Sequence, residues 1–102
     1  MNQAQMMAQV RKMQAEMTKA QEELASTIVS GSAGGGAVAV EMTCDFRVTK
    51  VTIAPTAIDP DDAETLEDLI VVAVNDAAAK AQATSSQRMG SLTGGLRIPG
   101  LT

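Results

Sequence analysis

Apolar side chains recur in steps of four and three along the first 25 residues: Met6, Val10, Met13, Met17, Ala20 and Leu24. This spacing places all of them on one stripe of an α-helix, the seam of a heptad repeat. The positions between are mostly Gln, Glu, Lys, Arg and Ala, good helix formers, with Thr18 the weaker one. No Pro or Gly interrupts the segment. Such a helix is roughly 35 Å long at about 1.5 Å per residue. The rest of a small chain cannot cover that length, so part of the stripe calls for a partner helix or subunit. Methionine on the seam suits adaptable packing better than a strict leucine zipper.

The period then falls to two. Residues 26–30 (STIVS) are β-prone, and the glycine-rich stretch Gly31–Gly36 is expected to be a flexible turn. From Ala37 to Cys44, Val38, Val40, Met42 and Cys44 point one way, and Glu41 and Thr43 the other. From Arg47 to Ala54, Thr49, Val51 and Ile53 share a face that Val48 and Lys50 oppose. A turn centred on Asp45 separates these runs, giving three short strands in an antiparallel meander. Pro55 ends the third. Asp59 is expected to cap a second helix, with Pro60 at its first position and Asp61, Asp62 and Glu64 facing the positive helix end. Leu66, Leu69, Ile70, Ala73, Val74, Ala77, Ala78 and Ala81 line one face, and Val71 and Val72 widen it. This core helix is expected to run to about Gln87. The predicted architecture is a single α+β domain over residues 1–89, helix–three strands–helix, with a flexible Gly-rich tail over 90–102.

Composition narrows the chemistry. The chain has 102 residues, one aromatic (Phe46), one cysteine (Cys44) and no histidine. This argues against His-based acid–base catalysis, Ser-His and Cys-His nucleophiles, and zinc sites built on Cys or His. The remaining carboxylates and lysines show no convergent spacing, so no enzyme, cofactor or metal site is expected. Gly31–Gly36 lacks the Gly-Lys-Ser/Thr ending of a phosphate-binding loop. The acidic run from Asp59 to Asp68 lacks calcium-loop spacing and reads as helix capping. A lone cysteine forms no internal disulfide and suits a reducing cytoplasm, and Cys44 is expected to pack as a small hydrophobe on the inner face of the sheet. Asn75-Asp76 sits mid-helix, either simply exposed or making a polar contact across a dimer. The opening residues do not resemble a signal peptide, and the longest apolar run, 69–74, is too short for a membrane span.

The formal net charge is −4, which taken alone argues against nucleic acid. The acidity is local, however: Asp59, Asp61, Asp62, Glu64, Glu67, Asp68 and Asp76 face only Lys80 between residues 56 and 80. On the first helix Lys12 and Lys19 are seven residues apart and share a stripe, with Arg11 beside it. Glu16 and Glu23 lie four residues beyond these lysines, so a solvated face of mixed charge competes with a DNA-contacting one.

Three stretches together resemble the YbaB/EbfC family of bacterial nucleoid-associated proteins. They are the helix MMAQVRKMQAEMTKAQEEL, the Gly-rich turn leading through an alternating strand to TKVTIAP, and DAETLEDLIVVAVNDAAAKAQ followed by RMGSLTGGLRIPGL. The resemblance covers nearly the whole chain. It implies a tweezer-like homodimer whose strands form a sheet across the dimer and whose terminal helices project as arms. It further implies binding of double-stranded DNA in the nucleoid. Genes of family members commonly lie beside recombination or replication genes, which makes such proteins candidate partners. The terminal regions carry fewer Lys and Arg than a typical member, which bears on affinity more than on fold.

On this basis Arg11, Lys12, Lys19, Lys80 and Arg88 are the expected DNA contacts. Met13, Met17, Leu24, Val40, Met42, Leu69 and Val72 are the expected dimer contacts. Few basic groups and a single aromatic point to phosphate contact on duplexes, not base reading or single-strand stacking. The competing reading is a dimeric, coiled-coil-like adaptor that binds other proteins through its arms.

Overall fold

The computed structural model describes residues 2–93. Helix α1 (Gln3–Ser26) leads into strand β1 (Ile28–Ala33), a 3-10 turn (Gly34–Gly36), strands β2 (Val38–Thr43) and β3 (Val48–Ile53), a second 3-10 turn (Pro55–Ala57) and helix α2 (Ala63–Thr93). The strands form an antiparallel sheet in the order β1-β2-β3. This is the expected α+β architecture, with several boundaries displaced for identifiable reasons.

Helix α1 starts on a capping box. The Asn2 side chain accepts the Gln5 N–H at 2.8 Å, and the Gln5 side chain accepts the Asn2 N–H at 3.3 Å. These bonds satisfy amides that the first helical turn leaves without partners. Helix α2 begins later than Asp59. Asp59 instead accepts the Asp61 N–H at 3.0 Å in a preceding turn. The cap is Asp62, which accepts the Thr65 N–H at 3.3 Å and the Thr65 hydroxyl at 2.6 Å. At its other end α2 passes through Gln87 and Gly90 to Thr93. The tail expected over 90–102 therefore starts inside this helix, and residues 94–102 lie outside the described ones.

The largest departure is at Gly31. Residues 31–33 belong to β1, with Gly31 opposite Val40 and Ala33 opposite Val38. Only Gly34–Gly36 form the turn, and all three have positive φ, a conformation open to glycine. Gly31 serves another purpose. A Cβ at this position would lie 2.2 Å from the Ala77 amide nitrogen and 2.5 Å from the Ala73 carbonyl oxygen. The α2 backbone thus rests directly on β1, and Ala73, Ala77 and Ala81 are fully buried beneath it. Together with Ala33, Val38, Val40 and Met42 they form the core, flanked by Val29, Ile53, Leu66, Leu69 and Ile70. With almost no aromatic residue to fill space, the chain excludes water by bringing backbones together over small side chains.

Helix α2 packs over β1 and β2. Strand β3 is left largely bare, and Val48 and Val51 are 49% and 45% exposed. A β-bulge accounts for Val48. Lys50 pairs with Glu41 but Val48 pairs with Met42, which leaves Thr49 as the extra residue. The bulge turns Val48 onto the face shared by Val51 and Ile53, where strict alternation places it opposite them. Among the described residues no helix is long and apolar enough to cross a membrane.

Replacing Gly31 by alanine forces a methyl group into the α2 backbone. Gly31→Ala is expected to lose about 3 kcal/mol or more of stability, at the upper end for overpacked cores, measured by urea denaturation against the parent chain.

Candidate nucleic-acid interface

Helix α2 runs antiparallel to β1. Its Leu69 lies by Gly34, Ala73 and Ala77 lie over Gly31, and Lys80 reaches Ser30. Beyond the sheet it meets α1, which leaves the sheet at the same end, where the Cys44 N–H donates to the Leu24 carbonyl at 3.0 Å. The two helices continue side by side as an antiparallel arm, and the molecule is 70 Å long but only 27 by 16 Å across. Glu23 and Arg88 clamp the arm near its base, Nε to Oε2 at 2.9 Å. Arg88 Nη1 also donates to Ser91 Oγ at 3.3 Å. The α1 seam is buried only toward this base: Ala20 and Leu24 are enclosed, Met13 is half-buried, and Met17, Val10 and Met6 are 42%, 50% and 55% exposed.

Arg11, Lys12 and Lys19 are exposed on α1 and form no ion pair among the described residues. The other two expected DNA contacts, Lys80 and Arg88, are engaged within the fold. Arg88 holds α1 through Glu23. Lys80 and Asp76 close the free edge of β1: Asp76 accepts the Ser32 N–H at 3.0 Å, Lys80 donates to the Ser30 carbonyl at 2.9 Å, and the two side chains lie 3.4 Å apart. A backbone edge that would otherwise face water is thus paired by a helix. This explains the mid-helix Asp76, for which the sequence pattern leaves two readings open. Arg47 and Lys50, on and beside the bare strand β3, are also exposed cations. The expected contacts omit them because short-range patterning does not show that α2 leaves β3 uncovered.

Of the residues expected at a dimer contact, Leu24, Val40 and Met42 are enclosed by their own chain, at 5%, 0% and 3% exposure. Val40 and Met42 lie under α2, and Leu24 lies where α1 joins the sheet. None of the three is open to a second copy. Met13, Met17, Leu69 and Val72 keep exposed surface.

The acidic start of α2 lies at the Gly34 end of the sheet, opposite the arm. Cys44 is buried. No cluster of His, Cys, Asp or Glu among the described residues could hold a metal ion. Two carboxyls are held below their ordinary range. For Asp76 the main cause is the Ser32 amide hydrogen bond, assisted by the charge of Lys80. For Glu23 it is the Arg88 hydrogen bond, assisted by the charges of Arg88 and Lys19.

The fold and arm define a small helix–three-strand–helix protein with a paired-helix projection. The chain belongs to the YbaB/EbfC DNA-binding family, which it matches over residues 1–96. A protein from Chloroflexus aurantiacus named a nucleoid-associated protein is 54% identical over 97 residues, covering 95% of this chain and 97% of the relative. A protein of the same description from Pelotomaculum thermopropionicum is 50% identical over 100 residues, covering 98% and 95%. The crystal structure of an uncharacterized protein from Helicobacter pylori superposes with a TM-score of 0.79 at 20% identity, covering 90% of this chain and 97% of that one. That likeness establishes a shared fold.

Carboxyls with depressed native pKa values stabilise the fold above their unfolded pKa, and the contribution is lost as pH falls through the native value. Stability is therefore expected to decline from about pH 4 downward. Asp76→Asn and Glu23→Gln should each flatten that decline in denaturation midpoints measured across the acid range.

Proposed function

We propose that the protein binds double-stranded DNA in the nucleoid as a homodimer, through phosphates and without reading bases. The match to a DNA-binding family over residues 1–96 carries this reading. The names of the Chloroflexus and Pelotomaculum relatives support the nucleoid as its place. The geometry supports the arm as the DNA-facing surface. Arg11, Lys12 and Lys19 are exposed there and form no ion pair among the described residues, while the acidic start of α2 is held at the far end of the molecule. Lys80 serves the β1 edge and Arg88 clamps α1 through Glu23, so in this reading neither is a primary phosphate contact. The first helix offers a row of exposed charge able to track a phosphate backbone, which favours sequence tolerance. With so few cations per chain, binding gains from a second arm on the same duplex.

The bare face of β3 supports dimerisation. Val48, Val51 and Ile53 form an apolar strip beside α2, and Val71 and Val72 on α2 are 57% and 55% exposed. A contiguous apolar strip of this kind is the usual mark of an interface. The dimer interface in this reading is centred on β3, whereas Val72, one helical turn before Asp76, lies toward the β1 edge.

Fluorescence anisotropy on unrelated duplexes across a salt series tests the DNA reading. Affinity should fall steeply with salt and alike for every sequence. Replacing Arg11, Lys12 and Lys19 by glutamine should flatten the log–log salt slope by about 0.9 for each phosphate that is no longer neutralised. Unchanged binding in that variant at low salt refutes the arm assignment. Absence of binding by the parent chain at low salt favours the adaptor reading. Light scattering tests the dimer: the parent chain should show twice its chain mass, and Val51→Lys should shift it to the monomer.

A further inference from the structure

Lys12, Glu16, Lys19 and Glu23 follow one another along α1 in steps of four, three and four, a second stripe beside the methionine seam. At the base of the arm this stripe meets α2, where Arg88 Nε donates to Glu23 Oε2 at 2.9 Å. Arg88 is itself held in place. Its Nη1 donates to Ser91 Oγ at 3.3 Å, and that hydroxyl donates to the Arg88 carbonyl at 2.8 Å. The Arg88 and Glu23 side chains are 33% and 45% exposed, so the pair is open to solvent. Lys19 lies one turn before Glu23 and is exposed. The Arg88 hydrogen bond, with the charges of Arg88 and Lys19, holds the Glu23 carboxyl below its ordinary range.

We propose that Lys19 and Arg88 form a seat for a DNA phosphate and that the Glu23 carboxylate fills this seat in the unbound protein, as an internal competitor that a duplex displaces. The inference rests on the DNA reading above and adds to it one further cation and a built-in brake. Chemistry, cost and position each support it. A carboxylate and a phosphate offer a guanidinium the same kind of charged acceptor. An exposed ion pair is weak and screened by salt, so one acceptor replaces the other at little cost. Because Ser91 holds the guanidinium, little side-chain freedom is lost when its partner changes. Position favours a polyanion over a lone phosphate. The stripe from Lys12 to Glu23 is about 16 Å long at about 1.5 Å per residue, with Arg11 and Lys12 at one end, Arg88 at the other and Lys19 between. A duplex repeats its phosphates many times over that distance.

Fluorescence anisotropy on a duplex, with the full chain, tests the seat against a control of equal charge. Glu22 adjoins Glu23 and forms no ion pair among the described residues, so Glu22→Gln reports the effect of losing one negative charge. Glu23→Gln is expected to bind several-fold more tightly than Glu22→Gln at low salt. Its log–log salt slope should be steeper by about 0.9, the mark of one more neutralised phosphate. In an Arg88→Gln chain the two changes should act alike, because the seat is gone. Urea denaturation checks that every chain is folded. Equal affinity and slope for Glu22→Gln and Glu23→Gln overturn the proposal, and binding by the parent then leaves the DNA reading standing. Weaker binding by Glu23→Gln than by the parent also overturns it and makes the pair a brace for the arm. Absence of binding by the parent and both variants at low salt refutes the DNA reading and this inference with it.

Discussion

Where Gly31 lies against Ala73 and Ala77, a strand and a helix meet through their backbones, and the placement of every other part follows from that contact. The close approach sets the line of α2 across the sheet. That line carries Asp76 and Lys80 to the free edge of β1 and brings Arg88 alongside Glu23. It also explains the core composition. Alanines bury little area each, so their value here lies in letting two backbones come close enough for Val38, Val40 and Met42 to fill what remains. A larger residue anywhere on this seam would lift the helix and shift the edge bonds and arm clamp together.

The arm is therefore an outgrowth of the core. Helix α2 is longer than the sheet it covers, and its surplus length supports α1 outside the globular part. The supported stretch is short, which is why the α1 seam grades from buried Ala20 and Leu24 to exposed Met6. Charge follows the same axis. Acidic residues gather where α2 starts and its amide dipoles favour them, and three cations without an ion pair among the described residues, Arg11, Lys12 and Lys19, lie on the projecting helix. A chain that is acidic as a whole can in this way present an arm carrying uncommitted positive groups.

The element order is legible in the sequence because each element carries its own period, close to 3.6 in the helices and 2 in the strands. Long-range placement is not. Gly31 resembles its neighbours Gly34–Gly36 in the sequence, and only the proximity of α2 separates a packing glycine from turn glycines. Asp76 reads as exposed or as a contact across a dimer and Lys80 as a DNA contact, and their service to β1 depends on a strand more than forty residues away in the chain. The bulge at Thr49 moves Val48 between faces because strict alternation assumes an uninterrupted ladder. Alternation does mark Val40 and Met42 as inward-facing, but their cover is the chain's own helix and not a second copy. The exposed cations of α1 are the most legible part of the candidate site, since a lone helix surface needs no tertiary information.

The two sides of the sheet are unequal. One outer strand has its spare amide and carbonyl satisfied by Asp76 and Lys80, and the other, β3, has no such cover. A sheet with two open sides can add neighbours without limit, which is the geometry of filaments. With one side sealed, each copy has a single side left to offer, and two copies joined through it leave nothing for a third. The Asp76–Lys80 pair thus leaves β3 as the outer strand whose edge is still open to a neighbouring strand.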